Sequence, residues 1–474
     1  MNFLERSNLL VSGYLLVFGG LFFILIIFPL IIISDYFLIF YCFLLQVFLF
    51  YCLFLRVENI LFIISFFSIL FLAFYFPVSG IFLQLNFNYK NLLYAVGLRS
   101  LTLLAVLFWT FLRIKNKKFL YFLPFFLIAI SFLRSSDKFS ALIYFVNSFG
   151  VLFLCLIFFH YFLKCKSNIS YMNDSLRKLF LYCLILVAII SFLYGIFFYK
   201  LSSIFRPDLA LALKLKGEPW PEGNIFPSWY SVLFDYAIPR FFGTFPDAIK
   251  AGWFYSVLLI ITFFSNIKPF GFKLFLIFFL FFCLLATLSK GALAFLLMFS
   301  FIYFILNFRI IKSFSSLLIL VFLLFIIIIL LALKFPGSNI VHLMGLYYGF
   351  KTILNANFLN FLFGYSLGYG GNLQAIYSKA ELWLQTGSES GVGVLLVKMG
   401  FLGFLCYLYF FYSICKKAFL KQNYIILSML IPLFVLSYLQ EDLINSSLWS
   451  LFLFFFLYFK FKKVTFLYEN NNCF

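Results

Sequence analysis

Charge is what this sequence has least of. Asp, Glu, Lys and Arg make up 11% of its 474 residues against 65% hydrophobic residues, whereas a water-soluble domain carries roughly 25% charged and 45–50% apolar residues. A single core cannot absorb that surplus, which excludes a soluble globule. The mean hydropathy of +1.12 makes lipid the solvent that fits. Acids are scarcer than bases, 15 against 35, for a net charge of +20. The bases nevertheless fall in short clusters between apolar runs, so no basic domain exists to hold nucleic acid. Metal-ligand spacing is also missing. The nine cysteines (Cys42, Cys52, Cys155, Cys165, Cys183, Cys283, Cys406, Cys415 and Cys473) sit mostly within apolar runs, with no CxxC or Cys/His pattern. That argues against a zinc site or a disulfide framework, and no cofactor is expected. No small-residue cleavage site follows the N-terminal MNFLERSNLL, and the first apolar run is too long for a signal peptide, so a retained helix is expected there. The 80 Phe and 30 Tyr match an AT-rich coding bias and carry little functional weight.

What remains is a series of apolar runs. A helix needs about 20 apolar residues to cross the hydrocarbon core. The runs near 9–33, 36–55, 59–76, 91–112, 119–133, 140–163, 179–199, 251–266, 274–288, 291–308, 315–333, 391–414, 424–439 and 446–460 each qualify or come close. The expected fold is therefore all-α: a polytopic transmembrane bundle of about 12–14 helices by this length rule, forming one integral membrane domain over residues 1–474.

Charge supplies an independent topology. Alternate connections collect bases: Arg113 to Lys118, Lys164 to Lys178, Lys268 and Lys273, Arg309 and Lys312, Lys416 to Lys421, and Lys460 to Lys463. The opposite connections collect Asp35, Asp137, Asp208, Glu218, Glu222, Asp235, Asp247, Glu381, Glu389, Glu441 and Asp442. The positive-inside rule then predicts both termini in the cytoplasm. Two long polar segments, 201–250 and 334–390, fall on the outer side. Loops of this length within a compact protein are functional or disordered, and their aromatic content argues against disorder. Short helices lying on the membrane surface are expected in each.

Ionisable groups at the outer boundary are the candidates for chemistry, because a charge there is costly unless paired or facing water. In PRFFGTFPDAIKAGWF, Arg240 and Lys250 bracket a Gly-Thr turn before a helix. A guanidinium there is equally suited to clamp phosphate, to pair with Asp235 or Asp247, or to snorkel towards headgroups. In TLSKGALAF, Lys290 precedes Gly291 at a helix start, where backbone N–H groups favour anions; an interfacial lysine in a tight turn is the commoner case. GYSLGYGG, residues 364–371, is Gly-rich but lacks the lysine and strand context of a phosphate loop. Glu389, between Ser388 and Ser390, stands where an acid either caps the following helix or acts as a general base. His342 is the histidine of the outer loops, and His160 lies near an inner helix end. Arg99 and Lys398 lie inside apolar runs, and each is expected to face the bundle interior or a water-filled cavity, paired with an acid.

In this order the features resemble the bacterial O-antigen polymerase and O-antigen ligase superfamily, over roughly Arg99 to Gly403. The matching residues are Arg240, Gly243, Thr244 and Phe245 ahead of a helix; Ser289, Lys290 and Gly291 at a helix junction; the run FLFGYSLGYG; and Glu389-Ser390 followed by LLVKMGFLG. The Ser-Ser-Asp-Lys run after Arg134 resembles an earlier outer hairpin of the family. Two positions depart: Glu389 stands where ligases tend to have His, and His342 where the family often has Arg. The carboxylate favours the polymerase branch.

The resemblance implies a glycosyltransferase of the bacterial cytoplasmic membrane, with its active site facing the periplasm. The growing glycan would pass from undecaprenyl diphosphate to the terminal sugar of an incoming lipid-linked repeat unit, with inversion and without a metal. Arg240, Lys250 and Lys290 would then bind the diphosphate. Glu389 would be the base and His342 a further catalytic group, with Arg99, Arg134 and Lys398 supporting. The implied partners are the lipid-linked donor and acceptor, the bilayer and a chain-length regulator, with no nucleic acid. A ligase delivering finished glycan to lipid A core stays open, as does a flippase or other transporter, since charges within a bundle also mark pathways.

Overall fold

The computed structural model describes residues 57–83, 89–114, 119–164, 174–200, 230–233, 236–241, 243–245, 247–334, 337–369 and 387–460. The expected spans near 9–33 and 36–55 lie outside these residues. Apart from one short hairpin, the described chain is helical. In chain order the helices are α1 Val57–Leu83, α2 Tyr89–Leu112, α3 Leu123–Leu133, α4 Lys138–Lys164, α5 Asp174–Lys200, α6 Ala248–Phe264, α7 Phe270–Ala286, α8 Lys290–Asn307 and α9 Phe314–Lys334. They continue as α10 Gly337–Leu354, α11 Phe358–Phe363, α12 Gly391–Leu420, α13 Tyr424–Leu436 and α14 Ser446–Lys460.

Among the described residues, length and hydropathy qualify five segments to cross a membrane: Lys138–Lys164, Arg177–Ile196, Lys290–Asn307, Phe314–Lys334 and Gly391–Leu420. Burial separates the inside of the bundle from its wall. The Gly150–Lys164 half of α4, with α13 and α14, is nearly all buried, and α14 runs against α1, α4 and α6. On α9, by contrast, only 17% of the most apolar stretch is buried, leaving Ile319, Phe322 and Leu330 exposed. α7 likewise turns Phe275, Phe278 and Phe282 outward. Apolar rows of this size facing out need lipid as their neighbour, and a helix is one of the two forms whose backbone survives there.

Local chemistry starts the helices where the sequence turns polar. Asp137 caps α4 by accepting from the amides of Phe139 and Ser140, each at 3.0 Å. Asp247 caps α6 through the Lys250 amide at 2.7 Å. Asn357 and Asn423 do the same for α11 and α13. Such caps satisfy amides that have no intrahelical partner.

The two long polar segments, 201–250 and 334–390, are described only in part. Residues 201–229 lie outside the described chain. The part that follows is an antiparallel hairpin of β1 Tyr230–Leu233 and β2 Tyr236–Pro239, with Tyr230 opposite Pro239. Tyr, Val and Ile favour a pleated strand, and proline is tolerated at a strand end. In the second segment α10 is a full helix of 18 residues, packed along α12. Small residues permit that approach: a Cβ at Gly349 would fall 2.6 Å from the Gly393 Cα, and one at Gly345 would fall 2.0 Å from the Ser388 carbonyl oxygen.

Candidate functional site

The motif around Arg240 is assembled on α5. Gly243 has a φ of 58°, and a Cβ there would fall 2.1 Å from the Ser191 hydroxyl. Both the backbone conformation and the space therefore require glycine. Ser191 accepts from the Thr244 amide and from the Tyr255 hydroxyl, each at 3.1 Å. This fixes the turn, and Arg240 then lies against the α7–α8 junction, where its Nε donates to the Thr287 carbonyl at 3.1 Å. The neighbouring Phe241 amide donates to Ala286 at 2.9 Å.

Asp247 organises the cations of this corner. Besides capping α6 it holds the Lys250 ammonium at 2.5 Å. Burial pushes its carboxyl up, but Lys250 and then Arg240 outweigh that and hold it below the usual carboxylate range. Burial also lowers the Arg240 guanidinium, with Asp247 opposing the shift; an arginine remains a cation at neutral pH. Lys250 is thus largely neutralised by its neighbour. Lys290, exposed at the first position of α8, forms no ion pair among the described residues, and it adds its charge to the positive end of that helix.

Glycine contacts connect this corner to the carboxylates. A Cβ at Gly291 would collide with the Gln440 side chain, whose Nε2 lies 1.9 Å from that point. Gln440 precedes Glu441, and Glu441 Oε2 accepts from the Glu389 amide at 3.0 Å. Glu389 does not cap α12. That role belongs to Ser390, whose hydroxyl accepts from the Gly393 amide at 3.0 Å and donates to the Tyr438 carbonyl at 2.7 Å. Glu389 instead sits one residue earlier in a left-handed conformation, with φ 72°. For a residue with a Cβ that costs on the order of 1–2 kcal/mol, and such positions gather at functional sites. Its Oε2 lies 3.3 Å from His342 Nδ1, with the glutamate and histidine side chains 29% and 26% exposed. The same nitrogen is 3.0 Å from the Glu389 carbonyl oxygen. With two acceptors around it, Nδ1 is the ring nitrogen suited to carry the proton, and the imidazole stands against the carboxylate.

Arg134 and Lys398 are drawn into a different structure. The backbone of α12 breaks at Gly400, with φ 69° and ψ −170°, and residues Gly364 to Tyr369 wedge into the break. The Tyr365 amide donates to Val397 at 2.8 Å, and a Cβ at Gly364 would meet the Lys398 carbonyl carbon at 2.5 Å. Arg134 Nη1 donates to the Gly364 carbonyl at 2.8 Å and Nη2 to Asn360. The fully buried Lys398 ammonium donates to the carbonyls of Leu367 and Tyr369 at 2.9 and 2.7 Å, with the Tyr144 ring 3.6 Å away. The described part of the Gly-rich run, residues 364–369, is thus a plug held by two cations. Lys398 is buried, and its described hydrogen bonds go to backbone carbonyls where an acid was expected. Arg99 lies on α2, and its side chain is outside the described residues.

No family model, curated protein or solved structure matches the chain.

The structure thus joins Arg240, Lys250 and Lys290 to His342 and Glu389 through shared packing at one end of the bundle, and it sets Arg134 and Lys398 apart. Glu441 was visible in the sequence only as one more outer acid. Its place directly after the apolar run of α13, on the side where Glu389 lies, was the available signal.

Proposed function

We propose that the chain is a membrane glycosyltransferase that polymerises a lipid-linked oligosaccharide on the outer face of a bacterial cytoplasmic membrane. The observation that carries this reading is the meeting of a cationic corner, Arg240 with Lys290, and an imidazole-oriented carboxylate, Glu389 with His342, through the Gly291–Gln440–Glu441 contact. Transfer from a lipid diphosphate needs both. The hydroxyl of the incoming sugar attacks the anomeric carbon of the growing glycan, forming one C–O bond as the bond to the diphosphate breaks. The electron pair leaves with the diphosphate, where fixed cations stabilise the developing charge. The hydroxyl proton passes to Glu389, within reach of water at the boundary yet oriented by His342. A single displacement of this kind inverts the anomeric centre.

In this reading Lys250 contributes less than Arg240 and Lys290, because Asp247 already balances it. The test is the surface glycan of a strain lacking the gene. Single-repeat glycan, restored to full length by the wild-type chain, supports a polymerase; accumulation of long lipid-linked polymer points to the ligase alternative.

A second reading, transport, draws on the buried Lys398 beside the broken α12, since discontinuous helices and buried charges also line transport pathways. Lys398→Met separates the two. A transporter loses lipid-linked sugar from the outer leaflet, while a polymerase keeps it there, unextended.

A further inference from the structure

The turn carrying Glu389 is fastened to the segment after α13 by reciprocal hydrogen bonds. The Glu441 amide donates to the Glu389 carbonyl at 3.2 Å and the Val392 amide to the Ser437 carbonyl at 3.0 Å. The Ser390 hydroxyl donates to the Tyr438 carbonyl at 2.7 Å. In the remaining bond a carboxylate receives a backbone amide: Glu441 Oε2 accepts the Glu389 N–H at 3.0 Å, across 52 residues of sequence. That amide belongs to the residue held at φ 72°. A non-glycine residue stays in this region only when its surroundings over-determine it, and an ionised acceptor makes the strongest bond available to a backbone N–H.

We infer that Glu441 is a positioning residue that locks Glu389 into its left-handed turn, so that the Glu389 carboxylate meets His342. Proton transfer belongs to Glu389, and Glu441 acts through the Glu389 amide. This rests on the glycosyltransferase reading above for its activity readout, but not for its structural one.

Two variants of the full chain in lipid nanodiscs separate the possibilities. Glu441→Gln keeps an oxygen that accepts the amide; Glu441→Ala removes it. Hydrogen exchange by mass spectrometry over Gly387–Gly393 reports the turn directly. Glu441→Ala is expected to speed exchange there by about tenfold, the factor corresponding to one charge-assisted hydrogen bond. The same variant is expected to shorten surface glycan in cells, while Glu441→Gln stays near wild type in both measurements. Unchanged exchange in Glu441→Ala overturns the positioning role. So does a Glu441→Gln variant with normal exchange that extends glycan as poorly as Glu389→Gln, because Glu441 would then be handling the proton. Faster exchange in Glu441→Ala with full-length glycan supports the lock and instead overturns the reading of this corner as a polymerase site.

Discussion

At the scale of single residues, most of the polar groups at the site end of the bundle are committed to specific structural partners, and that commitment decides which remain for chemistry. Lys250 is tied to Asp247, Arg134 to Gly364 and Asn360, and Lys398 to two carbonyls and a ring. Glu389 and His342 are paired with one another yet stay partly exposed, and Lys290 faces outward. Glu389→Gln is therefore expected to stop glycan extension without loss of protein from the membrane, which immunoblotting of membranes together with glycan gels will check. Lys290→Ala should be more damaging than Lys250→Ala, by about tenfold in extension rate, less than a water-excluded donor would cost because Lys290 is exposed; equal effects would contradict the neutralisation of Lys250 by Asp247. Gly243→Ala conflicts both with its positive φ and with the Ser191 hydroxyl, so a lower unfolding temperature in detergent is expected. Of these roles, sequence could suggest that Arg240, Lys290, Glu389 and His342 belong together, through their order at one boundary. It could not separate them from Lys398 or Arg134, because the groups that hold these two are backbone carbonyls, Gly364 for Arg134 and Leu367 and Tyr369 for Lys398, and backbone acceptors leave no trace in local pattern.

At the scale of elements, helices were legible because the length of an apolar run is itself the physical constraint. The expected runs near 91–112, 140–163, 391–414 and 446–460 correspond to α2, α4, α12 and α14. The hairpin at 230–239 was not, since strands of four residues are too short for alternation to stand out from aromatic-rich composition. Nor was the break in α12: Gly400 reads as a helix-packing glycine until Gly364 is seen lying against it. Gly400→Ala should expel the wedge, since any Cβ there meets the Gly364 amide nitrogen at 2.3 Å. Faster proteolysis of the 364–369 segment would show it, and unchanged cleavage would argue that the wedge is held by Arg134 and Lys398 alone. The caps make a pH prediction at this scale. Hydrogen bonds from Ser140 hold the Asp137 carboxyl below the usual carboxylate range. Asp247 is lowered as well, by the charge of Lys250 against the cost of burial. A depressed pKa in the folded state adds stability at pH values above the ordinary carboxylate range, and that stability is lost as pH falls through the depressed value. Acid unfolding followed by tryptophan fluorescence should therefore show a transition below the ordinary carboxylate range that Asp247→Asn weakens.

At the scale of the whole molecule, the sequence supplies direction and the structure supplies convergence. Basic clusters alternate with acidic ones along the chain, and the helix ends on the acidic side are those that meet through Arg240–Thr287, Gly291–Gln440 and Glu389–Glu441. At other helix ends lies a buried histidine, His160, contacted by Tyr121 at 2.8 Å and by Lys417. The proposed topology puts Lys290 and Lys417 on opposite sides of the membrane. A cysteine placed at Lys290 should react with a membrane-impermeant maleimide in intact cells stripped of outer membrane, and one at Lys417 only after lysis. Under the proposed function, the carboxylate–cation corner extends a lipid-linked glycan. The most direct test uses purified chain in lipid vesicles supplied with radiolabelled polyprenyl-diphosphate oligosaccharide. The wild-type protein should yield a ladder of longer lipid-linked products, and Glu389→Gln should leave the starting unit unchanged. A ladder of normal length from the Glu389→Gln protein would contradict it.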